Sequence, residues 1–383
     1  MSVNVQASTI KNVYEVSLPV VSQERQIRGA AFEQALIEVS VRVSGTSLAP
    51  TQIDLKQATR MVRRYRYKAM TQPEIDAYMK KSNTLIAPKF LLWVQFDDGK
   101  IKQQLRDNGL PIWGYQRPNV LVWLAVKDGR SRYILKKSDH SQVKDALVKE
   151  AQKRGLPIIW PEYDSQDKKA VKFSDVWGQF WEPVKQASTR YPVDGVLLGR
   201  MNWVKGSWKV DWSLLQEEKT ENWQLTALDL GLLMNSGIGV ATDHISSRFA
   251  VFANSANDGE LMVRISGLGS VKKYAQASHY LSSLAPVKHV YATEVKQHQV
   301  DFHVELSGDE NDLKRIIALG KVLSPDNRPE IIKPVPVING TVPTVTGTPG
   351  DAQISVPSQG VQNIPVVPVV EPQNNILRYR LNG

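Results

Sequence analysis

The sequence predicts an α/β and α+β protein: a mixed sheet flanked by helices on both faces, followed by a ferredoxin-like βαββαβ unit. The first observation is the segment NVLVWLAV at 119–126, in which only Asn119 is polar. A strand with one wet face alternates apolar and polar residues, so this segment should be a central strand covered on both faces. Strand and helix patterns alternate around it, and residues 261–323 follow the order strand, helix, strand, strand, helix.

An N-terminal unit, residues 1–75, is predicted as one strand followed by two helices. Residues 13–20 form the strand, and residues 24–43 form an amphipathic helix that ends at Ser44-Gly45. The apolar stripe of this helix has 4-3-4 spacing: Phe32, Leu36, Val39 and Val43. A second helix from Leu55 to about Tyr65 is predicted to end in the basic and aromatic run RRYRYK.

An α/β domain, residues 76–253, is predicted next, with a tryptophan-rich hairpin near its end. The hairpin pairs residues 195–203 with 208–215, where tryptophan, valine and leucine alternate with polar residues. The other predicted elements of this domain are strands at 90–96, 119–126 and 156–160 and helices at 100–108, 141–154, 176–191 and 228–252. Gly237 and Gly239 are predicted as a break in the last helix.

A ferredoxin-like domain is predicted at 254–326, and it lacks one strand of the βαββαβ pattern. Residues 327–375 are rich in proline, valine, threonine and glycine, which predicts a disordered, polyproline-prone segment. Residues 376–383 contain the alternating run ILRYRL, a candidate for the missing last strand. The low-complexity segment would then be an insertion just before that strand.

Charge and composition limit the partners and the chemistry. The 383 residues carry a formal net charge of +10, which suits nucleic acid, anionic lipid or another acidic partner, although dispersed charge also suits a lysine-rich surface. The chain has no cysteine, which excludes disulfides, thiol catalysis and zinc sites built on thiolates. No stretch reaches the ~18 apolar residues of a membrane span. Residues 1–8 lack the features of a secretion signal, as they would if a signal had been removed.

Four segments together resemble the bacterial family known as domain of unknown function 2066. They are VYEVSLPVVSQERQIRGAAFEQALIEVSVRVSG (13–45), LPIWGYQRPNVLVWLAV (110–126), DGVLLGRMNW (194–203) and ISGLGSVKKYAQASHYLSSLAPVKHV (265–290). The resemblance implies an exported protein of Gram-negative bacteria, hence a periplasmic location with the signal peptide removed. A cytoplasmic location is the alternative. The family has no assigned activity, cofactor or catalytic residue to transfer.

No motif predicts a catalytic, metal or cofactor site. Glycine-rich phosphate loops are missing from the sequence. His298 and His303 could recruit Asp301 or Glu305 to a metal, but solitary surface histidines are far commoner than metal sites. Asp243-His244 with Ser246 and Ser247 suggests a hydrolase, yet the Gly-x-Ser-x-Gly turn is absent. We therefore expect no cofactor and no enzyme activity, with an enzyme of unrecognised type as the remaining alternative.

Two candidate binding surfaces follow from charge and aromatic residues. An anionic-partner patch is predicted from five basic side chains: Arg60, Arg63, Arg64, Arg66 and Lys68. The alternative is a solvated helix end in which basic residues complement the helix dipole. A ligand platform for glycan or peptide is predicted from four tryptophans: Trp203, Trp208, Trp212 and Trp223. The alternative is ordinary core packing, because an indole buries a large area.

The function that these observations favour is a non-enzymatic periplasmic scaffold or adaptor of a bacterial envelope assembly. Its partner would be an envelope protein, and a nucleic-acid partner is not expected. The Pro/Val-rich segment supports this interpretation, because such segments engage partners through extended backbone. The alternative function is a glycan- or peptide-binding module that uses the tryptophan-rich sheet.

Overall fold

The structure is a computed structural model that describes residues 8–10, 12–82, 85–252, 259–320, 322–328 and 376–382. Nearly all of the predicted low-complexity segment lies outside these ranges. The predicted removal of a signal peptide also concerns residues that the structure does not describe. The fold class is confirmed: helices and strands are interleaved, and the larger sheets carry helices. No helix within the described ranges is long and apolar enough to cross a membrane.

The first unit is a three-stranded antiparallel sheet with a helix packed on one face. Its elements are β1 (Ser8–Thr9), β2 (Glu15–Val20), α1 (Arg25–Ser44), α2 (Ala49–Gln52), a 3-10 turn (Leu55–Gln57), α3 (Ala58–Met61), β3 (Val62–Ala69), α4 (Gln72–Ser82), β4 (Phe90–Phe96), α5 (Asp98–Asp107) and β5 (Pro111–Ile112). The predicted stripe of α1 is buried, from Phe32 to Val43. Gly45 ends the helix in the left-handed conformation, with φ of 75°.

This unit extends beyond the predicted boundary at residue 75. Strand β4 lies between β2 and β3 and pairs with both, so the sheet is incomplete without it. One hydrophobic core includes buried residues from Val13 to Ile112. The sheet and its core therefore continue past residue 75 as far as Ile112.

The predicted helix over 55–65 is wrong in its second half. Helix α3 ends at Met61, and the run RRYRYK lies in strand β3. The run itself contains the reason, because arginine and tyrosine alternate with the two-residue period of a strand. Tyr65 and Tyr67 turn toward α1 and β4, where Tyr65 meets Phe32 edge-on at 5.3 Å between ring centres. Pairing with β4 therefore stabilises this segment more than an extension of helix α3 would.

The second unit is the predicted layered sheet. Its elements are β6 (Gln116–Arg117), β7 (Val120–Asp128), β8 (Ser131–Ile134), α6 (Gln142–Arg154), β9 (Ile158–Ile159), α7 (Ser165–Ala170), α8 (Phe173–Trp177), α9 (Trp181–Ser188), β10 (Gly195–Val204), β11 (Ser207–Gln216), β12 (Lys219–Ala227), α10 (Leu230–Phe249) and β13 (Val251–Phe252). The sheet order is β12-β11-β10-β7-β8, and β9 also pairs with β7. Strands β9 and β10 run parallel to β7, which makes the sheet mixed.

The burial of strand β7 on both faces explains why its residues are almost all apolar. Residues 120–126 are each at most 1 % exposed. Helices α6 and α10 cover one face of the strand, and α8 and α9 cover the other. With helices on both sides, no position from Val120 to Val126 meets water, so none needs a polar side chain.

Two predicted helices differ in detail. The predicted helix at 176–191 is split into α8 and α9, because Gln179 adopts a positive φ of 56° between them. The predicted break at Gly237 and Gly239 is absent, since α10 runs unbroken from Leu230 to Phe249. A Cβ at Gly237 would lie 2.6 Å from the indole nitrogen of Trp212, so this glycine lets the helix approach the sheet.

The third unit has the ferredoxin-like sheet order with one reversal. Its elements are β14 (Glu260–Ser266), α11 (Val271–Ser283), β15 (Val287–Lys296), β16 (Gln299–Leu306), α12 (Glu310–Gly320), β17 (Leu323–Pro325) and β18 (Ile376–Leu381). The order is β15-β16-β14-β18-β17. The predicted last strand, β18, lies beside β14, but it runs parallel to it. The short β17 takes the antiparallel direction expected after α12 and pairs with the outer edge of β18.

Candidate functional site

The candidate site is the outer face of the three-stranded sheet, opposite α1. Successive side chains of a strand point to opposite faces, so the tyrosines of β3 turn to α1 and the arginines turn away. We call this surface the basic sheet face. It is formed by Arg64, Arg66 and Lys68 of β3, Trp93 and Gln95 of β4, and Glu15 of β2. The three basic side chains are exposed, whereas Trp93 and Gln95 are half-buried.

Trp93 is the centre of this face. It lies directly opposite Arg66 on β3, and the guanidinium carbon of Arg66 is 4.7 Å from the indole ring centre. The guanidinium of Arg64 lies 5.5 Å from the same ring. Such cation–π contacts hold cations in place on an aromatic face. The two guanidinium groups are therefore positioned before any partner arrives.

A hydrogen-bond network fixes the orientation of these groups. The indole Nε1 of Trp93 donates to Glu15 Oε2 at 3.2 Å, and Gln95 Nε2 donates to Glu15 Oε1 at 3.0 Å. Arg64 Nε donates to Gln95 Oε1 at 2.5 Å. Glu15 contributes one negative charge beside the two arginines, so the face stays cationic even where Lys68 is paired with Glu74.

Strand β3 is also an edge. It pairs with β4 along one side, and none of the strands that the structure describes pairs with its other side. An edge strand presents a row of main-chain N–H and C=O groups that an added strand can use. Over eight residues, β3 is long enough to receive one.

The end of β3 is tied to α4. Lys68 Nζ lies 2.9 Å from Glu74 Oε1, and Glu74 also accepts hydrogen bonds from the main chain and hydroxyl of Thr71. The Thr71 N–H bond, followed by the Lys68 ammonium, lowers the pKa of Glu74 to about 2. Glu74 therefore stays ionised and holds Lys68 at the edge of the face.

The predicted anionic-partner patch is only partly gathered by the fold. Arg64, Arg66 and Lys68 share the basic sheet face, whereas Arg60 belongs to α3 and donates to Gln57 at 3.1 Å. Arg63 is exposed at an irregularity of strand register between Val62 and Arg64. The predicted setting of the run, a helix end, is replaced by an edge strand.

Trp93 and Glu15 were absent from the predicted site. The alternation of FLLWVQF at 90–96 contains a usable signal, because it places Trp93 on the face opposite Leu92 and Val94. What the sequence does not show is which strand lies beside β4. The pairing of Arg66 with Trp93 is decided by tertiary structure alone.

The four predicted platform tryptophans lie on one face of the large sheet, toward α10. Trp212 is 1 % exposed and fills a slot between Gly199 of β10 and Gly237 of α10. Trp223 packs beside the imidazole of His244 at 5.6 Å between ring centres. Trp203 is 46 % exposed and meets Trp208 edge-on at 5.2 Å. A ligand could therefore reach the rim of this cluster at Trp203 but not Trp212.

The residues weighed for hydrolase chemistry have other partners. Asp243 accepts hydrogen bonds from Ser47 and lies 3.5 Å from Arg154, and the hydroxyl of Ser246 donates to the main-chain carbonyl of Gly45 at 2.7 Å. His244 instead packs against Trp223. No acid–histidine–serine relay is formed by these groups.

Two of the residues weighed for a metal site, His303 and Asp301, also have other partners. His303 stacks on Tyr291 at 4.8 Å, and Asp301 forms two hydrogen bonds of 2.8 Å with Arg264. Within the described ranges, no three histidine or carboxylate side chains come together as a metal site would require.

Comparison with known proteins contradicts the predicted resemblance to domain of unknown function 2066. A family described as Domain of unknown function (DUF8605) matches residues 7–114, which include the whole basic sheet face. No curated protein and no solved structure matches the chain. The quoted segment at 13–45 and the start of the one at 110–126 lie among the residues that match this different family model, and nothing found supports the earlier resemblance.

Proposed function

We propose that this protein is a non-enzymatic scaffold or adaptor that captures an extended acidic segment of a partner protein on β3. The observation that carries the proposal is the cationic edge strand, whose arginines are already held on Trp93. Main-chain bonds to the edge would supply affinity, and side-chain contacts would supply specificity.

The spacing of the basic residues defines the partner. Arg64, Arg66 and Lys68 are two residues apart along one strand, so their side chains recur at roughly 7 Å on one face. An added strand has the same repeat. Acidic residues at alternate positions would meet the three cations, and the intervening side chains would lie beside Tyr65, which is 44 % exposed.

The charge balance of the matched region supports an acidic partner. Residues 7–114 contain 16 lysines and arginines against 10 aspartates and glutamates, so this part of the chain holds more than half of the net charge of +10. Complementary charge mainly raises the rate of association and selects the partner. The periplasmic location remains part of the proposal and now rests on the cysteine-free composition, with the cytoplasm as the alternative.

The test is fluorescence anisotropy with a labelled eight-residue peptide of alternating glutamate and valine. We expect saturable binding that weakens at least tenfold in the double variant Arg64→Glu, Arg66→Glu. The matched control is Arg130→Glu, Arg132→Glu, which reverses two exposed arginines with the same spacing on the β7–β8 hairpin and should leave binding unchanged. A peptide N-methylated at alternate residues should also lose binding, because it cannot pair with the edge.

Three results would contradict the proposal. They are equal binding by the double variant, equal binding of the N-methylated peptide, and tighter binding of a single-stranded oligonucleotide of matched charge. The last result would indicate a nucleic-acid partner instead, bound through base stacking and phosphate contacts.

A second candidate function has one observation in its favour. Where β12 ends, with Ala227 paired to Trp208, Leu228 is 77 % exposed and Leu232 is 64 % exposed, so this end of the tryptophan cluster presents apolar surface. We propose glycan binding there as the alternative. Cell-wall fragments should then quench tryptophan fluorescence in the natural protein but not in Trp203→Ala, and absence of quenching in the natural protein would exclude it.

A further inference from the structure

A second site lies where the first unit meets the third. A small cavity of about 40 Å³ is lined by Tyr14 before β2, by Lys102 and Arg106 on α5, by residues 112–115, and by residues 282–285 and Val287 between α11 and β15. The two units approach closely here: a Cβ at Gly114 would lie 3.0 Å from the Cβ of Ala285. None of the three basic side chains of the basic sheet face lines this cavity.

The polar side chains that line this cavity are hydrogen-bond donors. Lys102 and Arg106 lie one helical turn apart, both half-buried, and no carboxylate is among the lining residues. Lys102 is 3.6 Å from Asp98, whereas the side chain of Arg106 forms no ion pair or hydrogen bond with any residue that the structure describes. Its guanidinium is thus available to a ligand.

Trp113 supplies an independent observation. Its side chain is 1 % exposed, and its indole Nε1–H finds no acceptor within the described part of the chain. A buried donor without an acceptor costs roughly 1–3 kcal/mol, and each such group calls for an explanation. The guanidinium of Arg117 covers the ring of Trp113 at 3.9 Å, which fixes the indole in place.

Two tyrosines complete the set of donors. Tyr14 and Tyr115 are hydrogen-bonded to each other, so one of the two hydroxyls keeps its proton for a third group. Burial is the main cause that raises the pKa of both hydroxyls. Both therefore remain protonated donors at neutral pH.

We propose that this cavity binds a small oxyanion, a phosphate or carboxylate group, held by Arg106, Lys102, the indole of Trp113 and a tyrosine hydroxyl. Charge-assisted bonds from a guanidinium are the strongest available in a protein and suit both oxyanions. Because the lining comes from two units, the bound anion would also strengthen their contact and raise the unfolding midpoint.

Isothermal titration of the full chain with sodium phosphate, and separately with sodium acetate, tests this at constant ionic strength set with sodium chloride. We expect saturable heat from at least one oxyanion, and the stronger of the two identifies the class. Binding should weaken at least fivefold in Arg106→Gln and in Trp113→Phe, which keeps an aromatic ring under Arg117. Arg130→Gln, on an exposed turn, should bind as the natural protein does.

The proposal is overturned if neither anion gives more heat than sodium chloride. It is also overturned if Arg106→Gln and Trp113→Phe, with unfolding midpoints within the range of the control, bind as tightly as the natural protein. Neither result bears on peptide capture at β3, because the two assays use different ligands and different variants.

Discussion

The guanidinium of Arg117 donates a 2.7 Å hydrogen bond to the main-chain carbonyl of Arg42, which lies in the last turn of α1. Arg117 is fully buried, and its other N–H groups donate to the carbonyls of Gly114, Arg154, Gly155 and Trp113. Arg42 in turn donates to the carbonyl of Lys153 at 2.8 Å. Two buried cations thus bind the carbonyl ends of α1 and α6, where the helix dipoles are negative.

Arg117→Met should lower the free energy of unfolding by about 3–5 kcal/mol, because several buried carbonyls would lose their donor at once. Arg117→Lys should restore only a small part of the lost free energy of unfolding, since an ammonium has three donors and lacks the planar geometry of a guanidinium. Urea unfolding followed by circular dichroism measures both. Arg130→Met is the exposed control, and a lysine variant as stable as the natural protein would contradict this account.

Alkaline pH should destabilise the protein through its buried tyrosines. Burial raises the pKa of Tyr280, and the same holds for Tyr14 and Tyr191, while an unfolded tyrosine titrates near 10. The folded state keeps these protons above pH 10 and the unfolded state loses them, so stability falls as pH rises beyond 10. The pKa of Arg117, lowered to about 9 chiefly by burial, opposes this trend in part.

Tyr280→Phe isolates one of these tyrosines. Its hydroxyl is buried and has no hydrogen-bond partner in the described structure, so its removal should cost little at pH 7. At pH 11 the variant should be more stable than the natural protein by about 1.4 kcal/mol, the cost of one suppressed ionisation. Urea midpoints at both pH values measure the difference, and a pH profile unchanged by the substitution would refute the assignment.

Gly237 and Gly29 are both helical, but alanine should act on them with opposite sign. Gly237→Ala would force a Cβ against the indole of Trp212 and should lower stability by about 1–3 kcal/mol. Gly29→Ala meets nothing within 4 Å and should raise stability by roughly 0.5–1 kcal/mol, because alanine is the better helix former. Thermal unfolding of both variants measures the two changes in stability. Equal changes would show that the close approach of α10 to the sheet is not what makes Gly237→Ala destabilising.

Strand β18 offers a test of the third unit. Leu377 is 9 % exposed and faces the core, whereas Arg380 on the same strand is exposed. Leu377→Asp would place an unpaired charge in the core and should destabilise the third unit by several kcal/mol. Arg380→Asp should be close to neutral. Limited proteolysis measures both, and equal resistance of the two variants would show that β18 is dispensable.

Much of the fold was predictable because its signals are local. The apolar run at 120–126 predicted the central strand, and the 4-3-4 stripe predicted α1. A further local signal went unused: at the start of α4 the main-chain N–H and the hydroxyl of Thr71 both donate to the Glu74 carboxylate, and the spacing of the two residues fits a capping box. Half of the candidate site was predictable too, since Arg64, Arg66 and Lys68 stand out by charge alone.

The sequence by itself determined which segments are buried on one face, on both faces or on neither, because that information is carried by the period of apolar residues. Tertiary structure alone decided that β3 is an edge strand beside Trp93, that β18 enters its sheet parallel to β14, and that Arg117 is buried among carbonyls. Each of these depends on a partner distant in the sequence. Periodicity describes a segment's own faces, whereas strand order and the partners of a buried cation arise only when those faces pack together.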